Sequence, residues 1–383
     1  MKSIYLDHNA TTPPRPEVIE AVARCLRDGY ANPASQHQLG QRARRALEQA
    51  RETVAEILSA DTTGSEPDRV IFTSGGTESN NLAVFGLAYS RGTDPAHLVV
   101  SAIEHASVME PAQALLENGW GLDCLGVDSD GVIRVQELPR LLKPETRLVS
   151  VMLGNHETGA LQPVEQVASI CGDLGVPVHT DAVQVAGKLP ICFRTLGVSA
   201  MSVSAHKFGG PPGFGALLVR PATPLRPVHF GGHQQWGLRP GTESVALAVG
   251  MATALQLWHE EHQAEAERLA RLRDRFENRL RAGWPELVVN AAAAPRLPQT
   301  SSIAFPGYDS QMLLISFDLA GIACSVGAAC SSGSSELSPT LRAMGLPRSI
   351  VASSLRFSFG ATTTEAEIDE AVARILRVLH QLQ

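Results

Sequence analysis

The sequence predicts an α/β protein in which crossover helices connect a mostly parallel central sheet, followed by a smaller α+β part. The first observation is alternation, because apolar runs typical of buried strands are separated by segments of helical periodicity. The second is length, since 383 residues with 44% hydrophobic and 19% charged content suffice for a large core and a smaller one. The third is a helical pattern from residue 245 to about 281, which carries the chain away from the first sheet.

The elements of the large part follow from this alternation. Six apolar runs predict strands, at residues 69–73, 97–101, 147–153, 177–180, 200–204 and 216–219. Four amphipathic segments predict helices, at residues 41–59, 78–90, 107–117 and 163–174. Their spacing permits right-handed crossovers between parallel strands.

Beyond the long helix the pattern changes to a short mixture of strands and helices. It predicts strands at 301–305, 322–326 and 354–358, a helix at 310–320 and a last helix from residue 364. The last helix carries one apolar stripe that would pack on a small sheet. We therefore predict a large domain of residues 12–255 and a small domain made of residues 1–11 and 256–383.

Composition narrows the classes of function. The net charge of -7 is spread among both signs, with no basic block for phosphates, so nucleic acid is not an expected partner. No apolar stretch approaches the length of a membrane span, and Asp7 comes too early for a signal peptide. We expect a cytoplasmic protein that does not bind membranes.

The cysteines indicate neither a metal site nor a disulfide framework. Six are present, without the paired spacing of zinc or iron–sulfur ligands: Cys25, Cys124, Cys171, Cys192, Cys324 and Cys330. Five fall in apolar or helical patterns and are predicted to be small core residues. Cys330 differs, because the serine-rich segment 331–336 follows it, and we expect its thiol on an exposed loop.

One lysine stands where the chain leaves a strand. Lys207 ends the sequence Ser-Ala-His-Lys at 204–207, which follows the apolar run 201–203 and enters a Gly- and Pro-rich turn at 208–213. Such a turn can present a single amine to a tightly packed ligand. Taken alone, such a segment is more often a solvated surface loop, so other motifs must decide.

A second motif has the form of an anion-binding helix start. The sequence Ser-Gly-Gly-Thr-Glu at 74–78, which includes Gly76 and Thr77, follows a predicted strand and opens a helix. Its free N–H groups and the positive helix end would converge on a phosphate. A nucleotide loop fits less well, because neither a Gly-Lys-Ser/Thr ending nor a G-x-G-x-x-G spacing is present. A glycine turn that only caps the helix is the remaining alternative.

Asp181 and Gln184 follow the predicted strand 177–180. Ligands of parallel sheets bind at the carboxyl ends of the strands, and an acid there can keep a pyridinium nitrogen protonated, so that the ring accepts electrons. Gln184 could donate to a phenolic oxygen of such a ring. A helix cap for Asp181 and an exposed helical position for Gln184 are the ordinary alternatives.

Three further polar residues complete the constellation. His105 could lie over a ring face and shuttle a proton, and Asn155 could bind the ring oxygen or a substrate carboxylate. Arg356 is a guanidinium in an apolar strand, which is costly to bury unless a carboxylate meets it, as that of an α-amino acid would. Together with Lys207 and the 74–78 motif, these residues predict a site for pyridoxal phosphate (PLP).

The ordered motifs carry a family resemblance. The chain resembles the PLP-dependent cysteine desulfurases of the class V aminotransferase superfamily, closest to the nitrogen-fixation and housekeeping iron–sulfur type. The resemblance runs nearly end to end and lies in residues 5–13, 32–35, 72–80, 104–105, 155–159, 179–181, 204–207, 239–242, 327–333 and 356–360.

The resemblance implies fold type I of the PLP enzymes, a homodimer with shared active sites, and conversion of L-cysteine to L-alanine. Sulfur would be held as a persulfide on Cys330 and passed to an acceptor protein such as an iron–sulfur scaffold. The implied roles are a Schiff base on Lys207, phosphate contacts from Thr77, Ser204 and His206, the pyridine nitrogen on Asp181, the ring oxygen on Gln184, ring stacking by His105, the substrate carboxylate on Asn155 and Arg356, and the neighbouring subunit's phosphate on Thr242.

The chain departs from the family pattern at three positions. His156 stands where a second asparagine is usual, Pro240 where serine is common, and Ala328 where serine often precedes the Ala-Cys pair. The sequence also ends at Gln383 without the extension that some members use to dock a scaffold, which leaves the acceptor open. The alternatives are a selenocysteine lyase or another class V PLP lyase, and, from a different class, a non-catalytic assembly protein that keeps the fold.

Overall fold

A computed structural model describes residues 3–29, 31–327 and 337–383. Its strands are β1 Ile4–Tyr5, β2 Arg69–Thr73, β3 His97–Ser101, β4 Gly121–Leu125, β5 Thr146–Ser150, β6 Val178–Asp181, β7 Ala200–Ser204, β8 Gly215–Val219, β9 Val288–Val289, β10 Thr300–Ala304, β11 Ile322–Ala323 and β12 Ser354–Ser358. Its α-helices are α1 Pro16–Arg27, α2 Gln38–Ile57, α3 Gly76–Ala88, α4 Ala106–Glu117, α5 Leu138–Leu141, α6 Val164–Gly172, α7 Phe193–Leu196, α8 Val245–Gly283, α9 Ser310–Leu319, α10 Pro339–Ala343, α11 Arg348–Val351 and α12 Glu365–Gln381.

Seven strands form the central sheet in the order β2-β8-β7-β6-β5-β3-β4. All neighbours are parallel except β8, which runs antiparallel to both β2 and β7. The predicted α/β fold with a mostly parallel sheet is thus confirmed. The carboxyl ends of β2, β3, β5, β6 and β7 meet at one edge of this sheet, where ligands of such sheets bind.

A smaller sheet lies in the C-terminal part, where β10 pairs antiparallel with β9 and β12, and a two-stranded pair joins β1 to β11. Its core is separate from that of the large sheet and includes Phe317, Phe357 and Phe359. The long helix α8 contributes to both cores, since Leu255 packs in the large core and Phe276 in the small one. The domain boundaries at 11/12 and 255/256 stay a prediction.

Three expectations differ from the structure. The edge strand β4 was not predicted, and its Cys124 is exposed, so the expectation of a core position for this cysteine is wrong. The strand expected at 322–326 covers only Ile322–Ala323, because Ser325 makes an isolated bridge with Arg356 instead of continuing the ladder.

Within the described ranges no helix is both long and apolar enough to cross a membrane.

Candidate active site

A cavity of about 350 Å³ lies at the carboxyl edge of the central sheet. Small-molecule sites are usually concave and about 300–1,000 Å³ in size. Nine of the sequence-predicted residues line this cavity, namely Gly76, Thr77, His105, Asp181, Gln184, Ser204, His206, Lys207 and Arg356. The structure therefore brings together residues that lie up to 280 positions apart in the chain (76 to 356).

Lys207 enters the cavity from the short 3-10 turn Ala205–Phe208 that follows β7. Gly209 ends this turn with φ +79°, a conformation that favours glycine. The Lys207 Nζ donates to the backbone carbonyls of Asn9 at 2.6 Å and Ala10 at 2.9 Å. The N-terminal segment thereby fixes the amine at the cavity wall.

The anion-binding part of the cavity is built from backbone. Helix α3 begins at Gly76, and the preceding Gly75 has φ +150°. A Cβ atom at Gly215 would lie 2.7 Å from the Val203 carbonyl oxygen and 2.8 Å from the Gly75 Cα. Only glycine permits this approach, which brings the first turn of α3, with its free N–H groups, beside the end of β7.

Three side chains flank this helix start. Thr77 is exposed at the rim, and the buried Ser204 lies below it. His206 has its Nδ1 at 3.2 Å from the Thr11 hydroxyl. Burial, together with the charge of Lys207, lowers the pKa of His206 to about 4, so its imidazole is neutral at pH 7. The first turn of α3 and these side chains fit a phosphate group.

A chain of hydrogen bonds joins Asp181 to His105. The Asn80 amide nitrogen donates to Asp181 Oδ2 at 2.7 Å and to Ser107 Oγ at 2.8 Å. The Ser107 hydroxyl lies 2.7 Å from His105 Nδ1, and the Ser107 backbone N–H donates to the same nitrogen at 3.1 Å. Because Nδ1 is an acceptor, a neutral His105 carries its proton on Nε2.

The neighbouring Glu104 is buried beside this chain. Its Oε1 accepts from the Ser101 hydroxyl at 2.5 Å and from the Met152 N–H at 2.7 Å. Burial raises the pKa of Glu104 to about 8, so its carboxyl is largely neutral at pH 7. Of these two neighbouring carboxyl groups, only Asp181 lines the cavity.

Gln184 and Asn155 are held by protein groups. Gln184 lines the cavity, and its amide nitrogen donates to the Asn9 carbonyl at 3.0 Å. Asn155 is fully buried and does not line the cavity; its side-chain oxygen accepts from the N–H groups of Glu157 and Thr158. Contact of Asn155 with a substrate carboxylate stays a prediction.

Arg356 is 2% exposed and has a carboxylate partner that sequence reasoning missed. Its Nη2 donates to Asp7 Oδ1 at 2.8 Å, and its Nη1 donates to the carbonyls of His156 and Gly327 at 3.1 and 3.3 Å. Its Nε is buried without a hydrogen-bond partner among the described residues. The guanidinium is therefore fixed in place, and Nε is its one nitrogen without a hydrogen bond to the described residues.

His156 also lines the cavity, with its ring 5.4 Å from that of His105. Burial and the positive charges of His105, Arg356 and Lys207 lower its pKa well below the usual 6.5. Its imidazole is therefore neutral. This histidine places an aromatic ring in the cavity wall.

The predicted residue Thr242 lies in a connection outside the cavity. Thr242 is exposed in the connection that precedes α8 and does not line the cavity. A bidentate pair between Arg239 and Glu78, with N–O distances of 2.8 and 3.2 Å, ties this connection to α3. Cys330 lies outside the described residues, although Gly327, three positions earlier, lines the cavity.

The donor set fits PLP. An amine, a helix start that suits one phosphate, a buried carboxylate that suits a pyridinium nitrogen and a histidine face the same cavity. Sequence reasoning missed four residues that hold these groups: Asp7, Asn9, Asn80 and Ser107. Asp7, Asn9 and Asn80 stand inside the motifs at 5–13 and 72–80, but nothing in the sequence pairs them with their partners.

Comparison with known proteins gives consistent results. The family model described as "Aminotransferase class-V" matches residues 4–371. A cysteine desulfurase IscS from Dictyoglomus turgidum is 37% identical over 382 residues, which cover 100% of this chain and 96% of the relative. An IscS-like cysteine desulfurase from Mycobacterium tuberculosis is 41% identical over 375 residues, 96% of this chain and 94% of the relative.

Solved structures with the same fold include two that match more than nine tenths of this chain. A NifS-like protein superimposes with a TM-score of 0.91 at 34% identity, covering 99% of this chain and 100% of that one. A structure described as SspA in complex with cysteine has a TM-score of 0.82 at 31% identity, covering 93% of this chain and 99% of that one.

Proposed function

The chain belongs to the class-V aminotransferase family, and we propose that it is a PLP-dependent cysteine desulfurase, which converts L-cysteine to L-alanine and an enzyme-bound persulfide. The observation that carries this proposal is the position of Lys207, Asp181 and His105 around one cavity that also holds Arg356. Whole-length relatives named as cysteine desulfurases support it. A cytoplasmic location stays a prediction from the sequence.

Five residues would hold the cofactor in this cavity. Lys207 would carry it covalently, Thr77, Ser204 and His206 would bind its phosphate with the first turn of α3, and Asp181 would pair with its ring nitrogen. When bound, PLP supplies an electron sink for the substrate's α-carbon. Asn80 positions Asp181 for this role, since its amide nitrogen donates to Asp181 Oδ2.

The chain's own residues would orient the substrate and move its protons. Arg356 would bind the cysteine carboxylate through its unpartnered Nε, while Asp7 keeps the guanidinium in place. Lys207, once released from the cofactor, would take the proton from the α-carbon and return one to the product. His105 would donate from Nε2, because its Nδ1 is engaged by Ser107.

Cys330 would accept the sulfur. Its thiolate attacks the substrate sulfur, so that a sulfur–sulfur bond forms while the bond between sulfur and the substrate's β-carbon breaks, and the β-carbon is then protonated to give alanine. The persulfide is afterwards attacked by a thiolate of an acceptor protein, such as an iron–sulfur scaffold. The acceptor is part of the proposal, as is the homodimer in which Thr242 contacts the phosphate of the neighbouring subunit.

The proposal is tested by assaying the purified protein with PLP and L-cysteine for alanine and for protein-bound persulfide. Cys330→Ser should abolish persulfide formation and reduce alanine release to background, while cysteine still changes the absorption spectrum of bound PLP. Cys324→Ser is the matched control, because Cys324 packs against the small core and lies six positions from Cys330. We expect it to affect stability and to leave turnover close to that of the wild type.

Two outcomes would contradict the proposal. Alanine production from cysteine at the wild-type rate by Cys330→Ser would indicate a selenocysteine lyase or another lyase that does not use this thiol. A protein that takes up no PLP and releases no alanine would instead indicate an assembly protein that keeps the fold without the chemistry.

A further inference from the structure

A second cavity, of about 120 Å³, lies on the other side of the segment that holds Lys207. Its walls come from the N-terminal segment 8–16, the turn after β7, helix α8 and residues 361–362. A water molecule takes up about 30 Å³ of liquid, so the cavity has room for a ligand of a few heavy atoms. None of the residues assigned above to the active site line it.

Lys188 lines this cavity and is 7% exposed. Among the described residues its ammonium has neither a hydrogen bond nor a carboxylate oxygen within 4.0 Å. The nearby Glu265 interacts with it electrostatically, but the carboxylate of Glu265 is held by Arg268 through bonds of 2.8 and 2.9 Å. Leaving a buried ammonium without a partner is costly.

Trp258 lines the same cavity and is 6% exposed. Its indole Nε1 is buried and has no acceptor among the described residues. Lysine ammonium and indole N–H groups donate and cannot accept. Two residues whose donors lack an acceptor among the described residues line this one cavity, and a ligand rich in acceptors would pair with both.

The charges around the cavity favour a negative ligand. Burial lowers the pKa of Lys188 to about 8, with a smaller opposing effect from Glu265, so most of the ammonium is charged at pH 7. Burial and the charge of Lys188 lower the pKa of His8 to about 4, so this wall residue is neutral. Arg15 adds a positive charge that is paired with Glu261 at 2.9 Å.

We propose that this second cavity binds a short-chain carboxylate of about the size of acetate, with Lys188 and Trp258 as its donors. The carboxylate oxygens would accept from the ammonium and the indole N–H. The short apolar end would face the walls formed by Pro13, Phe208 and Leu269. An inorganic anion would satisfy the donors but would leave these apolar walls without contact.

The test uses the full-length protein loaded with PLP, so that its phosphate site is filled. Thermal unfolding is followed while sodium formate, acetate or propionate replaces chloride at constant ionic strength. The unfolding temperature of the wild type should rise by about 1–3 °C at saturating acetate. Lys188→Met and Trp258→Phe, which keep much of the side-chain volume, should lose most of this gain. Without carboxylate, Lys188→Met should unfold at the same temperature as the wild type or higher, because it removes an unpaired buried charge.

Arg356→Lys is the control for carboxylate binding in the active site, and it should keep the full response to acetate. The proposal would be overturned if acetate raised the unfolding temperature of the wild type and of Lys188→Met equally. It would also be overturned if acetate had no effect on the wild type, a result that indicates a cavity filled with water. Stabilisation by phosphate or bromide that exceeds that by acetate would overturn the assignment to carboxylates. Crystals soaked in acetate should show the ligand within hydrogen-bond distance of the Lys188 Nζ.

Discussion

Lys207 and Lys188 lie in neighbouring cavities that share two segments of chain, residues 8–12 and 206–209. The amine of Lys207 donates to two backbone carbonyls, those of Asn9 and Ala10. Lys188 is more deeply buried but has no such acceptor among the residues described. Burial alone therefore does not identify a catalytic lysine, because the acceptors around the amine decide whether it is positioned or left in need of a ligand.

Arg356 extends this comparison to a third buried cation. It has both a carboxylate partner in Asp7 and one donor nitrogen without a partner. The protein thus fixes the guanidinium and leaves one of its nitrogens without a hydrogen bond to a described residue, an intermediate between the two lysines. Substitution of each cation should have a different consequence.

The largest effect is expected from Lys207→Ala. If this amine moves the substrate proton, its removal should reduce the rate of alanine formation by at least about 10³-fold. Lys188→Met is the matched control and should keep the wild-type rate. Borohydride reduction followed by peptide mapping should locate PLP on Lys207 in the wild type. A large loss of turnover in Lys188→Met would break the distinction between the two lysines.

A smaller effect is expected from Arg356→Lys. The change keeps the charge and the pairing with Asp7 but removes the planar fork, so kcat/KM for cysteine should fall by about 10- to 150-fold, or roughly 1.5–3 kcal/mol. The absorption spectrum of bound PLP should not change. Unfolding or loss of PLP in Arg356→Lys, with kcat/KM unchanged for the fraction that still holds PLP, would show that Arg356 serves structure alone.

The smallest effect is expected in the pH dependence of stability. Lys188 faces Glu265, Arg15 and Lys207, and its pKa in the folded state is about 8 against 10.5 for an ordinary lysine. Between these pH values the unfolded chain binds a proton that the folded chain does not, so stability should rise with pH in this window.

Urea unfolding at pH 7.5 and 9.5 in chloride buffer checks this expectation. As the pH rises, the free energy of unfolding of the wild type should increase relative to that of Lys188→Met. Acetate should reduce the gain, because a bound carboxylate favours the charged lysine. A constant difference between the two proteins at both pH values would mean that Lys188 titrates as an ordinary lysine.

Strands and backbone-built motifs were predictable from the sequence because their signals are local. The bounds predicted for β2, β3, β7 and β12 agree with the structure. The edge strand β4 was missed because Gly121 and Asp123 interrupt its apolar residues. The antiparallel direction of β8 could have been inferred, since ten residues between β7 and β8 leave little room for a crossover helix.

Long-range pairs were not predictable. Asp7 and Arg356 lie 349 positions apart, and the sequence shows only an arginine in an apolar strand. The orphaned Lys188 likewise stands in an ordinary Gly-Lys-Leu-Pro segment at 187–190. The fold and most of the cavity lining follow from local patterns, whereas the partner of each buried charge depends on tertiary packing.

The helix α8 has a practical consequence for dividing the molecule. Its residues Leu255 and Trp258 belong to the large core, while Leu269 and Phe276, about three and five turns beyond Trp258, belong to the small core. A chain cut near residue 256 would interrupt this helix and remove Trp258 from the large core. Each truncated protein would lack part of the helix that packs in its core, so truncated versions should retain the whole of α8.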